Sequence, residues 1–124
     1  MLQGHLAKLL RIHISESDRY RGKPLYEAIV AKCRELNIAG ATVFRGLEGY
    51  GETAEMHKAH IIRHDQPIVI SIVDTSDNLA ALVPAIEEMI DTGMMAVSEV
   101  RMVRVQKNGG SPSASAGESG QSVG

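Results

Sequence analysis

The chain has 124 residues, which suffices for one domain and is too short for two ordinary ones. Thirteen basic and fifteen acidic residues leave a formal net charge of -2, so no overall positive field attracts nucleic acid. With one Phe, three Tyr and no Trp, the chain also lacks the side chains of a base-stacking surface. We therefore expect a single domain that binds no nucleic acid.

Cysteine content and hydrophobicity narrow the class of protein further. The one cysteine, Cys33, can form neither an intrachain disulfide nor a zinc site of the CxxC kind. No apolar run reaches the length of a membrane-spanning helix, so we expect no membrane insertion. Residues 1–8 lack the order of a secretory signal, because basic residues interrupt the apolar stretch. We expect a cytoplasmic protein.

The first half of the chain predicts a strand, a helix and a second strand. Residues 6–15 alternate apolar and polar side chains, as in a half-buried strand. From Pro24 onward, apolar residues recur at helical spacing, with Cys33 on the buried stripe as a core residue. Asn37 and Gly40 stand where the C-terminal cap of this helix is expected. A second strand is predicted over residues 40–45.

The second half predicts a central strand, a helix and a final strand. Residues 68–73 form the most apolar run, which indicates a strand covered on both faces. Residues 76–78 are all good N-caps for a helix that contains Pro84, which should kink it or delay its regular start. We expect this helix to end at residues 92–93 and the last strand to run over residues 96–105.

The order β-α-β-β-α-β predicts an α+β, ferredoxin-like fold: a four-stranded antiparallel sheet with two helices on one face. Residues 1–107 would form this domain, and residues 108–124, rich in Gly and Ser, a disordered tail. The second sheet face would be open and too apolar to leave in water, which favours an oligomer such as a ring. Its side chains would be His13, Thr42 or Phe44, Val69, Val73 and Val103.

A basic cluster is the first candidate for an anion site. Arg19, Arg21 and Lys23 precede the first helix, whose N-terminus already carries partial positive charge. A bound phosphate or carboxylate would relieve the repulsion among these cations. Neutralisation by nearby acidic side chains is the alternative, and the residues available for it are Glu16, Asp18 and Glu27.

The glycine-rich stretch after the second strand is the second candidate. Backbone N–H groups of closely spaced glycines beside an arginine could cradle a phosphate. The residues in question are Arg45, Gly46, Gly49 and Gly51. Alternatively, the glycines only form a hinge for the polar segment 46–60 that follows. Arg101 and Arg104 on the last strand could reach the same cleft or remain solvated edge charges.

A group of histidines is the third candidate site, and the chain lacks common catalytic motifs. His57, His60 and His64, with Glu55 or Asp65 nearby, could bind a metal, and a metal-binding trimer is the alternative function. A plain surface histidine cluster is the other interpretation. The chain has no Gly-x-Ser-x-Gly elbow and no HExxH motif, so we expect no enzyme.

Several of these stretches resemble a known family. Residues 16–30, residues 39–46 and His57 closely resemble the PII-like family named domain of unknown function 190, and the resemblance covers residues 6–105. More distantly, residues 38–43 followed by Gly49-Tyr50-Gly51 are similar to the nitrogen-signalling PII proteins of the GlnB-like superfamily. Their Thr-Gly, which begins a second ligand-binding loop, resembles residues 92–93 here.

The resemblance implies a homotrimeric, non-catalytic signalling protein. A small anionic ligand, such as an adenine nucleotide, would bind in clefts between subunits. The segment 46–60 would report occupancy to a protein partner, such as a membrane transporter, a channel or an enzyme. The implied ligand-binding residues are Arg45, Gly46, Gly49, Tyr50, Gly51, Arg101 and Arg104. The chain departs from the PII pattern at Glu52, Thr53 and Met94, where PII proteins carry basic or amide residues that face phosphate.

Overall fold

The computed structural model describes residues 4–49 and 65–107. In this part of the chain the elements are β1 (His5–Ser15), β2 (Arg19–Tyr20), β3 (Lys23–Pro24), α1 (Leu25–Glu35), β4 (Thr42–Arg45), β5 (Pro67–Asp74), α2 (Ser76–Glu87) and β6 (Met94–Met102). Four strands form an antiparallel sheet in the order β4-β5-β1-β6, and β2 pairs with β3 in a separate short hairpin. The ferredoxin-like fold is confirmed. The β2–β3 hairpin was not predicted.

The core lies between one face of the sheet and the two helices. Alternate residues of β1 and β5 point to this face and pack against one stripe of each helix, as the hydrophobic periods predict. The members, none more than 3% exposed, are Leu10, Ile12, Ile14, Ile68, Ile70, Ile72, Leu25, Ile29, Cys33, Leu79, Leu82 and Ile86. The 3% exposure of Cys33 confirms the expected role of a small core residue, and this burial raises the pKa of its thiol. No helix within the described ranges is long and apolar enough to span a membrane.

The opposite face of the sheet is covered by none of the described elements. Val69, Ser71 and Val73 of β5 are half-exposed there in the single chain, so the helices cover one of the two faces of this strand that were predicted to be covered. The central position of β5 was predicted correctly, since it pairs with β4 on one side and β1 on the other. We call this surface the open face.

The ends of α1 follow local chemistry. Pro24 is the N-cap residue (φ -58°, ψ 132°) rather than the first helical residue. At the other end, Asn37 adopts a left-handed conformation (φ 61°), and the Ile38 N–H donates to the Cys33 carbonyl at 2.9 Å. This bond satisfies a carbonyl that the helix leaves free; Leu36 is the C-cap residue, and of the two predicted candidates Asn37, directly after it, makes the left-handed turn that ends the helix.

The boundaries of α2 and β6 differ from the prediction. The helix ends at Glu87, and a tight turn with an N–H···O bond of 2.8 Å from Met89 to Ile86 follows. Met89 is buried although it lies beyond the helix, so apolar periodicity alone overextended the prediction. Strand β6 begins and ends earlier than the predicted residues 96–105. It pairs with β1 from Met94, opposite His13, to Met102, opposite His5, where β1 begins.

The N-cap of α2 is Thr75, one residue before the predicted group. Its Oγ1 accepts a hydrogen bond of 3.1 Å from the Asn78 N–H. Thr75→Ala is expected to lower the free energy of unfolding by about 1 kcal/mol, because this N–H loses its partner. Urea unfolding followed by circular dichroism measures the change. Ser76→Ala is the matched control and should be nearly silent; equal effects of both variants would contradict the assignment.

Candidate ligand site at one end of the sheet

One end of the sheet brings together the C-terminal ends of β1 and β4 and the N-terminal end of β5. The register places Ile68 opposite both Ile14 and Arg45, and Pro67 opposite Ser15. Residues 46–49 leave the sheet here, and residues 65–66 return to it. We call this edge the loop end.

Arg45 at the loop end already has an anionic neighbour. Its Nη2 donates to Oε2 of Glu16 at 2.7 Å, with the Arg45 side chain 50% exposed and the Glu16 side chain 25% exposed. The Glu16 N–H donates to the Gln66 carbonyl at 2.8 Å, which fixes the turn after β1 against the start of β5. A ligand approaching Arg45 therefore meets a guanidinium that is partly neutralised and still open to solvent on one side.

The next residue of the same turn holds the returning chain. The backbone N–H and the hydroxyl of Ser17 both donate to Oδ1 of Asp65, at 3.3 and 2.9 Å. Adjacent residues of one turn thus contact Arg45 at the end of β4 and Asp65 just before β5. This turn fixes the two flanks of the intervening segment to the sheet.

The glycines after Arg45 pack closely on a proline. The Gly46 N–H donates to the Pro67 carbonyl at 2.8 Å, so it is engaged within the chain. A Cβ atom at Gly46 would lie 2.9 Å from the Pro67 Cγ, and one at Gly49 would lie 3.0 Å from it. Both positions therefore favour glycine for steric reasons, which supports the hinge alternative over a phosphate cradle at Gly46. Tyr50 and Gly51 lie outside the described residues.

The basic cluster forms the β2–β3 hairpin beside the loop end. Arg21 (φ 51°) and Gly22 (φ 83°) make its left-handed turn, and Arg19 Nη2 donates to the Gly22 carbonyl at 2.8 Å. The Arg21 guanidinium lies 5.1 Å from the centre of the Tyr20 ring. Of the carboxylates that could neutralise the cluster, Glu16 contacts Arg45 instead. The side chains of Arg19, Arg21 and Lys23 are exposed on this hairpin, which follows the turn that carries Glu16.

The arginines of the last strand lie at the other end of the sheet. Arg101 pairs with Leu6 near the start of β1, whereas Arg45 is in register with Ile14 through β5. Eight positions of β1 separate these two points, which is about 26 Å along the strand. Arg104 follows the end of β6 at Met102 and is exposed. One chain alone does not bring Arg45 and these two arginines into one site.

The histidine group lies outside the described residues. His57, His60 and His64 all fall between the two described ranges, so the structure says nothing about them. Within residues 4–49 and 65–107 there is no group of three or more His, Cys, Asp or Glu side chains that could hold a metal ion. Asp65, one of the suggested carboxylates, accepts the two hydrogen bonds from Ser17.

Sequence reasoning missed the Glu16–Arg45 contact. The two residues are 29 positions apart, and Glu16 was assigned to the basic cluster that follows it. The signal that could have found the pair is topological: in this fold β1 and β4 run in the same direction, so both end at the same edge of the sheet. Residues just after β1 therefore face the last residue of β4.

The comparison with known families decides the relationship. The model of the family DUF190, described as an uncharacterized ACR, matches residues 7–102. The chain belongs to the DUF190 family. A UPF0166 protein of Aquifex aeolicus (strain VF5) is 34% identical over 98 residues, which cover 77% of this chain and 92% of that protein.

Solved structures support the fold of this DUF190 protein. CPII from Thiomonas intermedia K12, bound to ADP, AMP and acetate, superposes with a TM-score of 0.62 at 16% identity, covering 83% of this chain and 94% of CPII. CPII bound to ADP, AMP and bicarbonate, described as a nitrogen regulatory PII-like protein, gives a TM-score of 0.60 at 14% identity, covering 82% and 99% of the two chains. The fold is therefore PII-like, as the resemblance implied.

Proposed function

We propose that this DUF190 protein is a non-catalytic, PII-like regulatory homotrimer that binds an adenine nucleotide in clefts between subunits. The observation that carries this proposal is the separation of two cationic groups on a PII-like fold. Arg45 lies at the loop end, where β1 leads through a short turn into the basic hairpin, whereas Arg101 lies about 26 Å away along β1 and Arg104 follows it in the chain. A head-to-tail contact between copies would place one group against the other.

The open face supplies a reason to associate. The register aligns Phe44, Val69, His13 and Met94 in one row across all four strands. Phe44 and Met94 are 54% and 55% exposed in the single chain. A second row, of Thr42, Ser71, Arg11 and Ala96, is more polar, and the third contains Val73 and Leu9. A largely apolar row that crosses all four strands favours burial against other copies.

The ligand and the partner follow from the chemistry of the site. Cations at both sides of a cleft favour a multiply charged phosphate ligand, and the CPII structures contain ADP and AMP. Arg45, Gly46, Gly49, Tyr50 and Gly51 would line one wall of this cleft. Binding would change the surface that the segment 46–60 presents to a cytoplasmic partner, such as a membrane transporter, a channel or an enzyme.

Mixed trimers test the shared cleft. Arg45→Ala trimers and Arg101→Ala/Arg104→Ala trimers are each expected to bind ADP at least about tenfold more weakly than the wild type, because a charge-assisted contact is lost. The two variants are then co-expressed with different tags, and trimers that carry both tags are purified. In a head-to-tail ring, each mixed trimer has one cleft in which the subunit with intact Arg45 faces the subunit with intact Arg101 and Arg104. Calorimetry should therefore detect one wild-type-like ADP site per mixed trimer.

The alternatives give different results in the same experiment. If each site were contained within one chain, mixed trimers would recover no wild-type-like site, and the intersubunit cleft would be wrong. If the wild type bound neither ADP nor AMP, the assignment of an adenine nucleotide as the ligand would be wrong. The wild-type protein purified with the same two tags is the control, and it should bind with unchanged stoichiometry.

A further inference from the structure

The carboxylate of Glu16 occupies the position from which an anion would contact Arg45. We propose that Glu16 is a specificity-determining residue that competes with the ligand for the Arg45 guanidinium. The competition disfavours small carboxylates such as acetate and selects ligands that carry a phosphate group. This inference rests on the proposed function, since it presupposes a ligand at Arg45.

Both the backbone and the side chain of Glu16 are held in place. The Glu16 backbone N–H donates to the Gln66 carbonyl at 2.8 Å, and the next residue, Ser17, makes two hydrogen bonds to Asp65. Its side chain is only 25% exposed and contacts Arg45 at 2.7 Å. An ordinary surface ion pair loses much of its benefit to side-chain entropy. Here the fixed turn keeps the carboxylate beside the guanidinium, so its effective concentration is high.

A tethered carboxylate discriminates between classes of anion. A free acetate offers Arg45 the same two oxygens and the same single charge as Glu16, and it additionally loses translational freedom on binding. A phosphate monoester such as AMP carries a charge of about -1.5 to -2 at pH 7 and three acceptor oxygens. It can therefore displace Glu16 or share the half-exposed guanidinium, which has five N–H donors.

Glu16→Gln tests the competition. Calorimetric titrations of AMP, inorganic phosphate and acetate are compared between the wild-type trimer and the variant. We expect the variant to bind AMP about three- to fivefold more tightly, the range expected for removing one partly exposed competing ion pair. Acetate affinity should rise by a larger factor, so the preference for AMP over acetate should fall. Removing Glu16 in an Arg45→Gln background should bring no further gain.

Two other variants separate competition from general charge and from folding. Glu87→Gln removes the same charge from the exposed last turn of α2, and we expect its AMP affinity to stay within about twofold of the wild type. Glu16→Asp keeps the charge but shortens the side chain, so a smaller gain in AMP affinity is expected even if Glu16→Gln unfolds. Unchanged or weaker AMP binding by both Glu16 variants, with binding by the wild type intact, would overturn this inference alone. Absence of AMP and ADP binding by the wild type would overturn the proposed function with it.

Discussion

Phe44→Asp is expected to dissociate the proposed trimer and to abolish nucleotide binding. Phe44 lies on the edge strand β4 and points to the open face, opposite Val69. The variant would place an unpaired carboxylate between subunits in every copy. A buried charge without a partner costs about 3–5 kcal/mol, the penalty seen when one member of a buried ion pair is removed. Light scattering should then report one chain mass of 13.4 kDa instead of three times that mass.

Loss of ADP binding should accompany the dissociation, since Arg45 would no longer meet the arginines of a second copy. Ala81→Asp is the matched control, because Ala81 is exposed on α2, on the helix side of the sheet. It should leave both the mass and the ADP affinity unchanged. A Phe44→Asp protein that remains trimeric would exclude the open face as the interface, and a monomer that still binds ADP would exclude the shared cleft.

The fold was largely predictable because its signals are local. The alternation in β1 and the apolar run of β5, broken only by Ser71, reflect their positions in the middle of the sheet, with one face against both helices. The errors concern element boundaries, which local sequence patterns do not determine. Met89 keeps the apolar period of α2 in a turn that is no longer helical, and the ends of β6 depend on the length of β1.

The candidate site was less predictable because it depends on pairings between distant residues. The sequence indicated Arg45 and the glycines that follow it, yet it could not show that Glu16 lies against that arginine or that the Gly46 N–H is already bound to Pro67. It also offered Arg101 as a candidate for the same cleft, but it could not show that the register separates Arg101 from Arg45 by about 26 Å within one chain. Spacing along the chain predicts which residues lie on the same face of a strand or helix. Only the register of the sheet shows which residues lie at the same end of the sheet.

Asp74→Ala is expected to lower the free energy of unfolding by about 3 kcal/mol, because it leaves three donors without their acceptor. Asp74 is 8% exposed at the end of β5. It accepts hydrogen bonds from the Ala39 N–H at 2.9 Å, the Thr75 N–H at 2.7 Å and the Asn78 side chain at 2.8 Å. Thermal unfolding at a fixed protein concentration should show a decrease in Tm of roughly 10–20 °C. Asp91→Ala, at an exposed position, should stay within about 0.5 kcal/mol of the wild type.

The stabilisation by Asp74 should also depend on pH. Burial raises the pKa of this carboxyl group, but the hydrogen bonds from Ala39, Thr75 and Asn78 outweigh burial and lower it overall. A folded-state pKa below the unfolded value of about 3.9 means that the stabilisation is complete above that pH and is lost as the pH falls further. The difference in unfolding free energy between wild type and Asp74→Ala should therefore be constant from about pH 5 to 8 and shrink below about pH 4. A difference that persists undiminished to the acid limit would contradict this role. Because Ala39 precedes β4, the same carboxylate stabilises the strand that carries Arg45 to the loop end.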